Sequence, residues 1–185
     1  MGLNDYHFVT RWRVRGSVAE VNRVLSDAGS LPRWWPSVYL EVKVLEPGDA
    51  RGLGKRVELF TKGWLPYTLR WGFVTTRVAD DGFTLEPWGD FVGRGIWTFT
   101  QAAEDVEVTY DWKIQARKPL LRAFSWLLKP IFRANHHWAM ARGEESLRLE
   151  LERRRARTDE ERARIPPPPP PTRPRPRGFP APPGG

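Results

Sequence analysis

The sequence predicts an α+β domain in which a curved, seven-stranded antiparallel sheet is closed by a long C-terminal helix. Three observations lead there. Seven segments alternate their side chains with the period of two of a half-buried strand. Six of these follow one another over residues 39–116 with only turn-length breaks, which makes them neighbours in a meander. Residues 120–151 then read as a helix, because His136, Met140, Gly143, Leu147 and Leu151 recur at steps of four, three, four and four and so share one face.

The first strand spans 6–15, with Tyr6, Phe8, Thr10, Trp12 and Val14 on one side. Ser17 and Glu20 form a capping box, and Val18, Val21, Val24 and Leu25 give the following short helix an apolar side that ends near Gly29. In LPRWWP, Pro32 and Pro36 bracket Trp34 and Trp35, a segment suited to a helical turn or loop at a cavity mouth. Strands follow at 39–46, 55–62, 67–79, 83–88, 91–102 and 106–116, separated by Pro47-Gly48, Gly63 with Pro66, Asp81-Gly82, Gly89-Asp90 and Glu104-Asp105. Tyr67, Leu69, Trp71 and Phe73 share a face, as do Phe91, Gly93, Gly95, Trp97 and Phe99, and Val106, Val108, Tyr110, Trp112 and Ile114. Gly93 and Gly95 weaken a strand, so they point to sharp bending or to room for an approaching helix or ligand. Turned inward, these faces set most of the ten tryptophans around a concavity. An ordinary packed aromatic core would show the same alternation.

Pro119 suits the first position of the long helix, while Pro130 lies inside it and should kink or split it. Residues 1–157 are thus expected to be the domain and 158–185 a disordered Pro/Arg-rich tail, which opens on a further capping box, Thr158 and Glu161, and includes six consecutive prolines.

Composition narrows the function. Residues 166–185 hold Arg173, Arg175, Arg177 and no acid; removing these three from the net charge of +8 leaves +5 on the remainder, where arginines alternate with acids. No nucleic-acid partner is expected from that pattern. With no cysteine, no signal-peptide core and no apolar run of roughly 20 residues, the expected location is cytoplasmic. There is no nucleophile elbow and no phosphate loop, and neither a metal nor a cofactor is expected.

The segments LPRWWPSVY (31–39), KGWLPYTLRW (62–71), GDFVGRGIWTF (89–99) and NHHWAMARGEESL (135–147) come in an order that resembles the START and birch-pollen-allergen-like superfamily. That superfamily is also termed SRPBCC or polyketide cyclase/dehydrase-like, and the resemblance covers about residues 6–155. It implies the helix-grip fold and a hydrophobic cavity between sheet and helix. Within the superfamily such cavities serve lipid transfer, hormone or sterol binding, ring cyclisation or oxygenase chemistry.

The expected ligand-binding residues are Trp71, Phe73, Gly93, Gly95, Trp97, Tyr110 and Trp112 from the strands and Asn135, His136, Met140 and Gly143 from the helix. A neutral His136 imidazole could orient a ligand oxygen or act with Tyr110 in acid–base catalysis; a histidine buried for structure is the simpler alternative. The leading reading is a carrier or sequestering protein for a hydrophobic, lipid- or polyketide-like small molecule. One rival is a polyketide cyclase or dehydratase using His136 as acid or base. Another is a packed domain whose basic tail recruits a polyproline-binding partner. Trp126 to Phe132 offers a peripheral membrane contact, against the alternative of a helix start packed under Trp34 and Trp35.

Overall fold

A computed structural model of the 185-residue chain describes residues 5–116 and 125–172. Seven strands, β1 (Asp5–Arg15), β2 (Tyr39–Glu46), β3 (Arg56–Lys62), β4 (Thr68–Ala79), β5 (Gly82–Gly89), β6 (Phe91–Ala102) and β7 (Asp105–Ala116), form one antiparallel sheet ordered β1-β7-β6-β5-β4-β3-β2. Every boundary falls within one residue of the alternation in the sequence. β2 to β7 are a meander, and β1 pairs with β7 from Asp5↔Gln115 to Arg15↔Asp105. The curved sheet stays open, with β1 and β2 as its edges. Between β5 and β6 the ladder stops at Leu85↔Gly95, two residues before Pro87, which has no N–H to give.

The two edges are joined by helical structure. Ser17 caps α1 (Val18–Leu25): its side chain accepts from the Glu20 N–H, and the Glu20 carboxylate accepts from the Ser17 N–H. Val21, Val24 and Leu25 face the core. A 3-10 turn (Ala28–Ser30) leads into α2 (Leu31–Trp34), so LPRWWP is a helical turn that drives both Trp34 and Trp35 inward.

The long helix α3 (Ser125–Arg155) continues through Pro130 without splitting. The expected start at Pro119 lies outside the described residues, as do the side chains from Trp126 to Lys129 on which the membrane contact depends. Among the described residues no helix is long and apolar enough to cross a membrane.

The height of α3 over the sheet is set by Gly143. A Cβ there would press into the Trp35 ring, 2.6 Å from Cη2. Beyond it Ser146, Leu147, Glu150 and Leu151 are buried against the core. Glu150, only 1% exposed, receives both Arg33 nitrogens (2.7 and 2.9 Å) and Arg154 Nε (2.7 Å). Burial pushes its pKa up, but the hydrogen bonds from Arg33 and Arg154 outweigh that and hold the carboxyl below its ordinary value. Glu144 accepts from the Arg13 N–H (2.9 Å), and Arg155 reaches both Glu20 and the Arg15 carbonyl (2.8 and 3.0 Å). These contacts tie α3 to α2, β1 and α1.

After α3, the predicted box at Thr158 caps a short helix α4 (Asp159–Arg164). Where the sequence predicts disorder from residue 158, the chain to Thr172 has a defined path. Arg153 holds the Pro166 carbonyl (2.8 Å), and Thr172 Oγ1 donates to the Gly63 carbonyl (3.2 Å) while accepting from Lys62 Nζ (3.3 Å). The six prolines lack N–H donors and favour polyproline II, which suits a strap running along a surface.

Gly143→Ala is expected to lower the unfolding free energy by about 1–3 kcal/mol through overpacking against Trp35. Alanine is intrinsically the better helix residue by roughly 0.5–1 kcal/mol, so the sign of the change is diagnostic. Urea denaturation measures it, and an unchanged or raised midpoint contradicts the tight seat.

Candidate functional site

N-terminal to Gly143 the helix roofs a cavity of about 160 Å³. Strand alternation supplies its walls: Tyr6 and Phe8 from β1, Leu69 and Trp71 from β4, Phe91 from β6, and Tyr110, Trp112 and Ile114 from β7. Trp35, Val38 and Tyr39 close one end, and Phe132, Asn135, His136, Ala139 and Met140 form the roof. Lys62, Gly63 and Tyr67 stand where β3 turns into β4.

The polar groups in this apolar space are mostly neutral donors. All four tyrosines of the chain line it. Burial raises the pKa of Tyr6, Tyr39, Tyr67 and Tyr110, that of Tyr67 to about 12, and the proximity of Tyr6 to Tyr67 and of Tyr39 to Tyr110 adds to the effect. The four phenols are therefore protonated at neutral pH. Trp71 Nε1 donates to Thr61 Oγ1 (3.0 Å), which fixes the indole plane against the wall.

His136 stacks on Phe8, with ring centroids 4.2 Å apart and planes 17° from parallel, and its Nε2 lies 3.3 Å from Thr10 Oγ1. Burial, with a smaller effect from His137, lowers its pKa to about 4. The imidazole is thus neutral at pH 7. Asn135 acts on the backbone: its Oδ1 accepts from the N–H groups of Trp64 and Leu65 (3.0 and 3.4 Å), pinning the β3–β4 loop to α3. Gly63 makes that approach feasible, since a Cβ there would collide with the Asn135 amide, 2.6 Å from its Cγ.

The family described as polyketide cyclase / dehydrase and lipid transport matches residues 14–141, which include every strand of the cavity except part of β1. The chain belongs to this family. No curated protein matches it. Among solved structures, it is similar to the Zhui aromatase/cyclase of a Streptomyces species, with 16% identity, TM-score 0.64, and coverage of 83% of this chain and 97% of that one. A START superfamily protein from Mycobacterium smegmatis has 11% identity and TM-score 0.58 over 79% of this chain and 97% of that one. A STAR-related lipid transfer protein (fragment 25-204) from Xanthomonas axonopodis has 20% identity and TM-score 0.51 over 78% and 85%. At these identities the likeness is one of fold.

Of the residues expected to bind ligand, the structure brings Trp71, Tyr110, Trp112, Asn135, His136 and Met140 to the cavity of this family member. Five do not line it. Trp97 is packed between Trp12, Phe83 and Tyr110, and Phe73 sits further along the β4 face, beside Leu25 and Phe83. Gly95 leaves room for the Trp112 ring and the Leu85 side chain, where a Cβ would come within 2.7 and 2.9 Å. Gly93 has φ +142° and brings its backbone against β7, 2.9 Å from Ile114 Cα to the Cβ position, and Gly143 makes room for Trp35. Alternation identifies the inner face of a strand, but not where along that face packing gives way to space.

The tryptophans are corrected in the same way. Among the described residues only Trp35, Trp71 and Trp112 line the cavity, while Trp12, Trp34 and Trp97 belong to the solid core. Sequence reasoning missed Tyr6, Tyr39, Tyr67 and Thr61 as residues that line the cavity, although the inner-face alternation of β1 and β4 already included Tyr6 and Tyr67. No hydrogen bond joins His136 to Tyr110 among the described residues; Tyr110 instead stacks between Trp97 and Trp112 (4.0 and 5.4 Å). On the surface Arg142 pairs with Glu145 (2.8 Å), and Asp111 with His7 (2.9 Å) and Lys113 (3.6 Å). Among the described residues no group of three His, Cys, Asp or Glu side chains is placed to hold a metal ion.

The depressed His136 pKa makes a signed prediction. An unfolded histidine with a pKa near 6.5 takes up its proton before the folded one does, so this group's stabilising contribution is complete above that value and declines as pH falls toward 4. NMR titration should place the His136 midpoint near 4, and His136→Phe should flatten the pH dependence of stability between 6.5 and 4. A midpoint near 6.5 would contradict the burial described above.

Proposed function

We propose that this protein binds one apolar or aromatic, oxygen-bearing small molecule of lipid- or polyketide-like character in the cavity beneath α3, and carries or sequesters it without transforming it. The observation that carries this reading is the pairing of aromatic walls with four protonated phenols and a neutral imidazole. Apolar surface supplies affinity at roughly 25 cal/mol per Å² buried, and phenolic donors fix the orientation of carbonyl or hydroxyl oxygens. An apolar cavity of about 150 Å³ accepts benzene, so the present 160 Å³ suits a ring-sized group. A larger ligand would extend through the mouth.

The same chemistry argues against the cyclase or dehydratase reading, which the family description and the aromatase/cyclase likeness bring forward. A general acid or base works best with a pKa near the working pH. His136 is shifted down to about 4 and Tyr110 is shifted up, so neither is poised to exchange a proton at pH 7. They serve better as fixed donors and acceptors. We place this activity in the cytoplasm, without a cofactor.

The decisive experiment is native mass spectrometry of protein purified from its own host, with identification of any released compound. One stoichiometric hydrophobic molecule is expected, and it should quench tryptophan fluorescence through Trp71 and Trp112. Tyr110→Phe is expected to weaken binding of a carbonyl-bearing ligand by about tenfold, the worth of one hydrogen bond, with no change in fold. Turnover of the bound compound that His136→Ala abolishes while binding persists would establish the enzyme reading instead. An empty protein that binds none of a panel of lipids and aromatic polyketides would favour the packed interaction domain.

A further inference from the structure

The outer face of the sheet holds an apolar site that the cavity does not explain. Along β3, Val57, Leu59 and Thr61 point inward, so Phe60 and Lys62 alternate to the outside, yet each is only 6% exposed. Leu40, at the bulge between Tyr39 and Glu41, is 3% exposed. Neither Leu40 nor Phe60 belongs to the interior core. Arg70 covers part of the Phe60 ring, with its guanidinium carbon 5.2 Å from the centroid.

The described tail ends at this place. Thr172 hydrogen-bonds both Lys62 Nζ and the Gly63 carbonyl, and the half-buried Pro168, Pro169 and Pro171 precede it. The continuing residues, RPRPRGFPAPPGG, carry one aromatic side chain, Phe179, and three arginines. Phe179 is seven residues past Thr172, a reach of up to ~22 Å at about 3.1 Å per residue in polyproline II. Phe60 lies two strand positions from Lys62, about 7 Å. Glu41 is paired with Phe60 across β2 and β3, and Glu58 lies two residues from Phe60 on the same outer face, so carboxylates border the apolar site where the arginines would run.

We propose that residues 173–185 dock in cis on the outer face of β2 and β3, with Phe179 against Leu40 and Phe60 and the arginines beside Glu41 and Glu58. The tail then forms a strap over the β3–β4 loop. That loop is gripped twice, by Asn135 from the cavity side and by Thr172 from the tail side, so the strap stiffens one rim of the cavity. The tail's own proline-rich sequence is on this account an intramolecular ligand, not bait for a polyproline-binding partner.

The test needs no cavity ligand and so is independent of the binding function proposed above. Since the chain contains no cysteine, Ala181→Cys gives a single site for a nitroxide on the full-length protein. The amide signals of Leu40, Phe60 and Lys62 should lose intensity relative to the reduced label, and Phe179→Ser, which leaves the Thr172 anchor in place, should reduce that loss. An equal mixture of nitroxide-labelled chains at natural isotope abundance and nitroxide-free ¹⁵N chains should show no such loss. Undiminished signals at those three residues, a loss that Phe179→Ser leaves unchanged, or a loss confined to the mixed sample would each overturn docking in cis through Phe179, the last in favour of a second copy of the chain.

Discussion

The contact between Gly143 and the edge of Trp35 governs the architecture. A helix on a sheet normally stands off by the length of the side chains between them, but here the helix backbone rests against an indole ring that α2 holds in place. C-terminal to Gly143 the interface is solid, with Leu147 and Leu151 buried; N-terminal to it the helix spans a gap, and that gap is the cavity.

A helix seated at one point would pivot, and polar contacts prevent this. Glu150 is central among them, because a carboxylate removed from water must keep its guanidinium partners, Arg33 from α2 and Arg154 from α3 itself. Arg154 and Arg33 together offset the cost of that burial, and the Arg33 share requires the geometry that sets α3 against α2. At the other end Asn135 and Gly63 join the helix to the β3–β4 loop through two backbone donors. The cavity thus lies between two fixed ends, where loss of packing in the middle is tolerated.

This arrangement also sets the chemistry. The walls are dry enough to raise the pKa of every tyrosine and to lower that of His136, so ionisable groups are present in neutral form. Low dielectric surroundings would strengthen a hydrogen bond to an oxygen atom placed in the cavity, while the same shifts take these groups away from proton exchange near pH 7.

Much of the fold was legible in the residues themselves. The strand boundaries, the Ser17–Glu20 cap and the shared face of His136, Met140, Gly143 and Leu147 follow from local periodicity and local hydrogen bonding, which need only neighbours in sequence. So does the inner face of each strand, and with it Trp71, Tyr110 and Trp112. The division of those faces into wall and core was decided by tertiary structure, because it depends on where a distant helix touches the sheet. Phe73, Trp97 and Tyr110 have the same alternation, yet only Tyr110 lines the cavity beneath α3. Gly93 and Gly95 pointed to bending or to room for a helix or ligand, and the room is taken by β7 backbone and the Trp112 ring, as that at Gly143 is taken by Trp35. A missing side chain is visible in a sequence; what occupies its place is known only when elements far apart in the chain have packed.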